Sequence, residues 1–271
     1  LRSVGTVRNY EQGLTRVAEW TQQERLSGGL RAMTPVLAIR YLEQRGQTVG
    51  QKALDMERQA LQAMMQHVTG QLAAGERIPV IKIEQAQVLT ARAYTAPQVA
   101  LIAAAQTPRH GLATELAHAA GLRAHELLTL RRGEERAADP RPALASKWQG
   151  REGVIYTVHG KGGLVREVLL PHALAIRLEA TRRDEPERIT DRGIHYQSCY
   201  DIGGGQRWSN SVSAASERAL GWSTGAHGLR HSYAQERMAE LQASLSRDAA
   251  LTTVSQEMGH FRPEITETYL R

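Results

Sequence analysis

Three short motifs near the C-terminus decide how this sequence can be interpreted. They are His227-Gly228-Leu229-Arg230, Met258-Gly259-His260 and Thr268-Tyr269-Leu270. On a helix, His227 and Arg230 are three positions apart and share a face, so an imidazole and a guanidinium can reach one anion together. The planar fork of an arginine matches the oxygens of a phosphate better than other side chains do. Together the motifs indicate half of an active site that holds and attacks a phosphate.

Tyr269 is the candidate nucleophile of this set, because a tyrosine held beside cations can attack a phosphate bound by them. Arg262-Pro263 favours the start of a short terminal helix, since proline is tolerated in a first turn whose N–H has no partner. That helix would carry Ile265 and Tyr269 on one face, and only the fold could hold the phenol near His260. A lone His-x-x-Arg is more typical of a solvated helix face, so the interpretation depends on partners upstream.

The composition suits a nucleic-acid-binding protein of one large or two modest domains. The 271 residues carry a formal net charge of +6, with a pI near 9.7. This charge suits a protein that encloses a polyanion, although it is also common in proteins that bind no nucleic acid. A single cysteine, Cys199, excludes an intrachain disulfide and a metal-thiolate cluster. Because long apolar runs and a signal-peptide pattern are missing, the sequence predicts a cytoplasmic protein without membrane association.

Residues 1–78 are predicted to form a small helical domain. Apolar side chains recur at helical spacing in three segments, and Thr34-Pro35 is a cap followed by a first-turn proline. Residues 79–94 lack sustained periodicity and are predicted to be a linker. A capping box of Thr95 and Gln98 then begins a second domain, 95–271. Basic residues of the first domain could line a DNA-facing side, but scattered surface charge explains them equally well; they are Arg8, Arg16, Arg25, Arg31, Arg40, Arg45, Lys52 and Arg58.

Two upstream positions supply further cations. Arg123 lies at a junction between two predicted helices, near exposed N–H groups where an arginine can clamp an anion. The plainer alternative is a capping or solvent-facing arginine. Two β-rich runs, 153–159 and 166–171, predict a hairpin whose tip carries Lys161 between glycines. Residues 172–186 are predicted to be helical, and 187–222 show no strong pattern. The glycine-rich turns lack the spacing of a nucleotide-binding loop, so no cofactor is predicted.

In this order, Arg123, Lys161, His227, Arg230, His260 and Tyr269 resemble the catalytic set of the tyrosine recombinase (phage integrase) family. The matching text is Ala120-Gly121-Leu122-Arg123-Ala124-His125-Glu126-Leu127-Leu128-Thr129-Leu130, His159-Gly160-Lys161-Gly162-Gly163, His227-Gly228-Leu229-Arg230-His231-Ser232-Tyr233-Ala234, Met258-Gly259-His260 and Thr266-Glu267-Thr268-Tyr269. These blocks span most of residues 95–271, and 1–78 is similar in kind to the family's helical, SAM-like core-binding domain. The resemblance implies a mainly α chain with a small antiparallel β-sheet in an α+β catalytic domain.

The sequence departs from the family pattern at three places. Met258 stands where leucine is usual, and Arg271 where a histidine often follows the tyrosine. A long segment, 131–150, precedes the predicted hairpin. The sequence continues for two residues beyond Tyr269, whereas relatives often carry a tail that docks on a neighbouring protomer. Assembly is therefore the feature that the resemblance specifies least.

The resemblance implies a covalent mechanism. Tyr269 would attack a scissile DNA phosphate and leave a 3′-phosphotyrosyl link and a free 5′-hydroxyl, so the reaction needs neither ATP nor a metal. Arg123 and Arg230 would stabilise charge on the non-bridging oxygens. Lys161 would be the general acid that protonates the leaving 5′-oxygen.

The remaining roles are also implied by the resemblance. His227 would assist proton transfer from the tyrosine, and His260 would hydrogen-bond the phosphate. Glu126 would orient Arg123 or its helix, although a carboxylate that stabilises a helix dipole explains it equally well. His231 and Tyr233 are interpreted as structural.

The family assignment implies partners as well. The main partner would be a double-stranded DNA recombination site, clamped between the two domains and bound largely through phosphates. Four protomers would exchange strands through a Holliday junction, so we expect a homotetramer on DNA and a monomer or weak dimer in its absence. Accessory DNA-bending proteins are further candidates, and the DNA-bound protein would be associated with the nucleoid.

Several functions share this catalytic set. The favoured interpretation is an integrase of a phage or another mobile element. A Xer-type recombinase that resolves chromosome dimers has the same catalytic residues, and a type IB topoisomerase shares much of the chemistry. A DNA-binding regulator that kept the fold without catalysis is disfavoured, because all six positions are filled. A metal enzyme built on His159, His227, His231 and His260 ranks last, because carboxylate or cysteine ligands at a recognised spacing are missing.

Overall fold

The computed structural model describes residues 4–83 and 90–271, and the chain divides into two compact units, Leu1–Leu89 and Thr90–Arg271. The predicted linker, 79–94, includes residues 84–89, which lie outside the described residues. Among the described residues, every helix is too short or too polar to cross a bilayer.

The first unit is a helical bundle. Its helices are α1 (Val4–Gln23), α2 (Pro35–Gly46) and α3 (Gln51–Met64), with a 3₁₀ turn at Gly29–Ala32 and a π-helical turn at Met65–Thr69. The Thr34 hydroxyl accepts a hydrogen bond from the backbone N–H of Leu37 at 3.3 Å, which confirms the predicted cap of α2. The core of the bundle is apolar and includes Val17, Trp20, Met33, Leu42, Leu54, Leu61 and Met65.

Glu57 is a buried carboxylate inside this bundle. It accepts hydrogen bonds from the Tyr41 hydroxyl at 2.7 Å and from Arg45 Nε at 3.2 Å, and Arg16 lies 3.4 Å from it. Burial, followed by the bond to Glu57, raises the pKa of Tyr41 above its ordinary value. Two of the arginines that could face DNA are therefore held by an internal carboxylate.

The second unit begins with two helices, α4 (Ala96–Ala104) and α5 (Pro108–Ala120). The predicted capping box is present: the Thr95 hydroxyl accepts from the Gln98 N–H, and the Gln98 amide oxygen accepts from the Thr95 N–H at 2.9 Å. Helix α5 ends at Gly121, whose φ of 57° is left-handed. A side chain there would come within 2.7 Å of the Tyr233 ring, so only glycine fits.

The predicted hairpin is confirmed. Strands β1 (Arg131–Arg132), β2 (Val154–His159) and β3 (Val165–Leu170) form an antiparallel sheet in the order β1-β2-β3. In the β2–β3 pair, Val154 faces Leu170 and His159 faces Val165. The turn between them is a short 3₁₀ segment, Lys161–Gly163, which places Lys161 at the tip as expected.

A second hairpin was not predicted. Helix α6 (His172–Glu179) ends well before residue 186, and the chain then forms β4 (Arg182–Asp191) and β5 (Ile194–Tyr200). The prediction failed because β4 is mostly charged and mostly exposed, so it lacks the apolar alternation that signals a strand. Its partner β5 supplies the buried contacts, and the Glu179 carboxylate accepts from the Tyr156 and Tyr200 hydroxyls of both sheets.

Four helices complete the second unit: α7 (Gly205–Leu220), α8 (Gly228–Gln242), α9 (Arg247–Glu257) and α10 (Pro263–Glu267). Helix α10 starts at the predicted proline, but it ends before Tyr269, which lies in a turn closed by a bond from its N–H to the Thr266 carbonyl. The prediction that Tyr269 lies on a helix face was wrong, because the helix makes little more than one turn. The fold class, mainly α with antiparallel β structure in the second unit, is confirmed.

Candidate active site

Tyr269 lies at the centre of a cluster of basic side chains. Its ring centroid is 5.3 Å from that of His227, 4.9 Å from that of His231 and 5.1 Å from that of His260. The guanidinium carbon of Arg230 lies 5.5 Å from the same ring. The fold thus brings together four residues that the sequence singled out and adds His231, which was interpreted as structural.

The start of helix α8 places two of these residues. His227 immediately precedes the helix and is exposed, whereas Arg230 lies in the first turn and is fully buried. Gly228 separates them because a side chain there would come within 2.6 Å of the Arg92 carbonyl oxygen and of the Tyr94 ring. The glycine lets the helix start pack directly on the segment that begins the second unit.

Arg230 is held by the protein on several sides. Nη1 donates to the Gly121 carbonyl, and Nη2 donates to the Met258 carbonyl at 3.0 Å and to His260 Nε2 at 2.9 Å. Burial and the neighbouring charge of Arg123 lower the pKa of Arg230 to about 10, so the group stays charged at neutral pH. Nε has no hydrogen-bond partner among the described residues. An unpaired buried donor costs about 1–3 kcal/mol, which an anion that accepts from it would offset.

The contacts of His260 fix its tautomer. Because a guanidinium can only donate, Nε2 accepts from Arg230 and carries no proton. Nδ1 then donates to the hydroxyl of Thr266, 3.1 Å away, which is itself buried. Burial, followed by the charges of Arg230 and Arg123, lowers the pKa of His260 to about 3. To donate to a phosphate, Nε2 must first release Arg230 and acquire a proton.

A buried carboxylate organises the other arginine. Glu126 is fully buried, and its oxygens lie 2.7 Å from Arg123 Nη1 and 2.7 Å from Arg166 Nη2. The backbone N–H of Arg123 donates to the same carboxylate at 2.8 Å. Burial alone would raise the pKa of Glu126, but the charges of Arg166, Arg123 and Arg230 outweigh it and hold that pKa far below the usual range. Glu126 is therefore an ionised partner of two arginines at once.

Arg166 was missed by the sequence reasoning, although the sequence holds a signal for it. It lies on β3, where the buried positions alternate as Arg166, Val168 and Leu170. An arginine at an inward-facing position of a strand needs a buried partner, because an unpaired charge is too costly to bury. The identity of that partner, Glu126, depends on the tertiary fold.

Lys161 stands apart from the cluster. It is exposed at the hairpin tip, and among the described residues no hydrogen bond or ion pair joins its ammonium to the other site residues. The base of the turn is nevertheless beside the site, because a Cβ on Gly160 would lie 3.6 Å from Glu126 Oε1. The hairpin thus presents Lys161 on a short exposed turn, and the residue before this turn, Gly160, lies beside the buried carboxylate of Glu126.

The three histidines around Tyr269 favour the neutral form. Burial, followed by the charges of Arg92 and Arg271, lowers the pKa of His231 to about 4, although a hydrogen bond to the Tyr269 backbone opposes the shift. His227 keeps one exposed side, but its ring lies against His231 and Tyr269, and this partial loss of solvation, followed by the charge of Arg230, lowers its pKa in the same direction. Within the described part of the chain, no three His, Cys, Asp or Glu side chains are grouped to hold a metal ion.

These shifts predict acid sensitivity of the fold. Histidines with a depressed folded pKa bind protons more readily in the unfolded chain, so stability falls as the pH drops from about 6.5 towards the folded values. Each such histidine contributes a slope of up to about 1.4 kcal/mol per pH unit in this window. We expect urea unfolding between pH 7 and pH 4 to show a smaller loss of stability for His231→Gln than for the parent chain. The exposed His172→Gln is the matched control, and an equal effect of both would contradict the prediction.

Comparison with solved structures identifies the fold. No protein-family model matches the chain, and no curated protein sequence does either. The XerH site-specific recombinase bound to a palindromic difH substrate aligns with a TM-score of 0.63 at 16% identity, over 98% of this chain and 76% of its own. A lambda integrase dimer bound to a COC′ core site aligns with a TM-score of 0.59 at 15% identity, over 100% of this chain and 89% of its own. The Tn1549 transposon integrase in complex with transposon right end DNA aligns with a TM-score of 0.57 at 12% identity, over 97% of this chain and 89% of its own.

All three proteins are tyrosine recombinases. The chain has the tyrosine recombinase fold. This result confirms the fold that the sequence motifs implied.

The long segment that departs from the tyrosine recombinase pattern, 131–150, packs along α9. The Leu144 N–H donates to Gln256 at 2.9 Å, the Ser146 and Thr253 hydroxyls are 2.7 Å apart, and the Trp148 N–H donates to the Glu257 carboxylate at 2.8 Å. Helix α9 leads directly into Met258-Gly259-His260. In this tyrosine recombinase fold, the segment therefore braces the helix that presents His260.

Proposed function

We propose that this protein is a site-specific DNA recombinase that cleaves and rejoins DNA strands through a covalent 3′-phosphotyrosyl intermediate on Tyr269. The observation that carries the proposal is the packing of the Tyr269 ring against Arg230 and His260, two residues from separate motifs. The three solved proteins with this fold are described as bound to DNA recombination sites or transposon ends, and one XerH structure as a post-cleavage complex. These descriptions support a DNA-cleaving role for the cluster around Tyr269.

The electrostatics of the cluster favour a phosphate ligand. Arg123, Arg166 and Arg230 carry three positive charges against the one negative charge of Glu126, which leaves a net charge of +2 when the histidines are neutral. A phosphodiester brings one negative charge, and its transition state concentrates that charge on the non-bridging oxygens. Arginine donors fixed in advance stabilise such a transition state without reorganisation.

The reaction is balanced by two proton transfers. The Tyr269 oxygen forms a bond to phosphorus while the bond from phosphorus to the 5′-oxygen breaks. His227, which is neutral at pH 7, accepts the phenolic proton. The ammonium of Lys161, at the exposed tip of the hairpin, protonates the leaving 5′-oxygen. His260 hydrogen-bonds the phosphate once Nε2 has left Arg230 and taken up a proton in exchange for the one on Nδ1, so the ring stays neutral and the Thr266 hydroxyl then donates to Nδ1. Rejoining is the same sequence in reverse, with a 5′-hydroxyl as the nucleophile, so bond energy is conserved without ATP or a metal.

The proposed assembly follows from strand exchange, which needs two duplexes and four cleavages. We propose a homotetramer on DNA in which residues 1–78, the linker 79–94 and residues 95–271 act as core-binding domain, linker and catalytic domain. Accessory DNA-bending proteins would assist, and the reaction would take place on nucleoid DNA in the cytoplasm. Phosphate contacts would dominate affinity, as the net charge of +6 suggests.

The central test is covalent capture. The protein would be incubated with labelled duplexes from the region flanking its own gene, nicked so that the cleaved end diffuses away. We expect label that stays with the protein through denaturation, together with a free 5′-hydroxyl, and an unchanged yield in the presence of a chelator. Salt-sensitive binding without any adduct would contradict the proposal and favour a non-catalytic DNA-binding regulator.

We further propose that the strand exchange integrates or excises a mobile element. Two of the solved proteins with this fold are integrases, one of them from a transposon, whereas XerH is described only as a site-specific recombinase. Plasmids carrying the two different element ends should recombine, and supercoiled DNA without these ends should not be relaxed. Recombination only between two identical chromosomal sites would favour dimer resolution, and relaxation of any plasmid would favour a topoisomerase.

A further inference from the structure

We infer that Arg166 is a positioning residue for transition-state stabilisation: it fixes Arg123, through Glu126, and the turn that holds Arg230 and His260. This inference rests on the proposed function. It concerns a residue to which the chemistry above gives no direct part, and it follows from four contacts that Arg166 makes inside the second unit.

The donors of Arg166 are used by the protein. Only 5% of the residue is exposed. Nη2 donates to Glu126 at 2.7 Å and lies 3.5 Å from the Gly121 carbonyl oxygen, Nη1 donates to the Glu257 carbonyl at 2.7 Å, and Nε lies 3.5 Å from Glu126. A guanidinium with both ends engaged and almost no exposed surface has no donor left for DNA. Arg166 therefore acts through its neighbours.

Arg166 and Arg230 are anchored in parallel. Both donate to the carbonyl of Gly121, at the end of α5. At the other end, Arg166 donates to the Glu257 carbonyl and Arg230 to the next carbonyl along the chain, that of Met258. Two guanidinium groups thus bridge the same two segments side by side. Moving one of them displaces an attachment point of the other.

The same residue also determines where the His260 turn can lie. Gly259 has a φ of 70°, and a Cβ on it would approach Arg166 Cδ to 2.6 Å. The glycine of the Met258-Gly259-His260 motif is therefore required both by its backbone conformation and by the arginine stem behind it. The stem of Arg166 forms the surface on which this turn rests.

The fourth link is electrostatic. Glu126 Oε1 accepts from Arg123 Nη1 at 2.7 Å, and Oε2 accepts from both the Arg123 N–H at 2.8 Å and Arg166 Nη2 at 2.7 Å, which keeps the carboxylate in one orientation. The Arg123 side chain stays 19% exposed. Without Arg166, the carboxylate loses its second charged partner, so Glu126 and the Arg123 guanidinium bonded to it can shift together. Arg166 thus keeps the Glu126–Arg123 pair in one place.

A lysine cannot replace this arginine. Its single ammonium can reach Glu126 or the Glu257 carbonyl, but it lacks the planar fork that joins both at once. Arg166→Lys therefore preserves the buried charge, and with it much of the stability, while it removes the bridge. The variant separates positioning from charge balance.

The experiment compares single-turnover cleavage of the same nicked duplex with three scissile groups. They are an ordinary phosphodiester, a methylphosphonate, which has no charged non-bridging oxygen, and a 5′-bridging phosphorothiolate, whose leaving group needs no proton. We expect Arg166→Lys to cleave the phosphodiester about a hundredfold more slowly than the parent chain, the size of effect seen when one preorganised donor is lost. We expect the two proteins to cleave the methylphosphonate equally fast. On the phosphorothiolate, Arg166→Lys should still cleave more slowly than the parent chain.

Lys161→Ala is the matched control. Its cleavage rate should return to that of the parent chain on the phosphorothiolate, whose leaving group needs no proton, but not on the methylphosphonate. The same restoration pattern in Arg166→Lys would show that Arg166 positions the general acid, and parent-like cleavage of the phosphodiester would show a purely structural residue. Both results overturn the inference.

Folding and the proposed function are checked in parallel. DNA binding of Arg166→Lys should match the parent chain, and thermal unfolding should show that the variant stays folded at the assay temperature. A variant that is unfolded there would assign Arg166 to stability alone and overturn the inference. A parent chain that forms no adduct contradicts the proposed function, whereas an active parent with an equally active Arg166→Lys contradicts only this inference.

Discussion

Tyr269→Phe is expected to abolish the covalent adduct with nicked DNA while leaving DNA binding and stability unchanged. The substitution removes the phenolic oxygen that would bond to phosphorus and keeps the ring that packs against His227, His231 and His260. The backbone contacts of the residue, including the bond from Gln235 to its carbonyl at 3.2 Å, do not involve the hydroxyl. Denaturing gels of labelled DNA after incubation with each protein measure the effect directly.

Tyr196→Phe is the matched control, because this tyrosine lies on β5, outside the cluster, and has the same hydroxyl to lose. It should form as much adduct as the parent chain. An adduct that persists in Tyr269→Phe would mean that another residue is the nucleophile, and the basic cluster around Tyr269 would then need a different explanation.

Glu126→Gln is expected to destabilise the second unit by about 3–5 kcal/mol, the usual cost of removing one partner from a buried ion pair. The carboxylate is fully buried between Arg123 and Arg166, and Arg230, which adds to the same positive potential, is also fully buried. An amide of the same size would direct a donor towards groups that only donate. Urea unfolding followed by tryptophan fluorescence provides the measurement.

The exposed pair of Arg177 and Glu115 supplies the comparison, since Glu115→Gln should change stability by no more than about 1 kcal/mol.

The pH dependence of stability gives a second check on Glu126. Its pKa is lower in the folded chain than in the unfolded one, so its contribution is present above the unfolded pKa of about 4.3 and is lost as the pH falls towards the folded value. Glu126→Gln should lack this acid-dependent loss, and an unchanged acid profile would show that Glu126 is not the ionised partner.

Local signals in the sequence were sufficient for much of the fold. The caps at Thr34 and Thr95 and the Lys161 hairpin were all predicted correctly, because each depends on neighbouring residues. The charged strand β4 was missed because its pairing with β5, rather than its own pattern, makes it a strand. The length of α10 was misjudged for a similar reason, since a terminal turn has few local constraints.

The sequence by itself determined which side chains could carry the chemistry, since the residue types and their order along the chain are local properties. Only the tertiary structure decided that Tyr269 is surrounded by three histidines, that Arg230 donates to His260, and that Glu126 is shared between Arg123 and Arg166. Arg230 and His260 are 30 positions apart and Glu126 and Arg166 are 40 apart, and a motif does not encode which distant group will neutralise a buried charge. That choice follows from packing, because a charge removed from water must find its partner among the groups that the fold brings within reach.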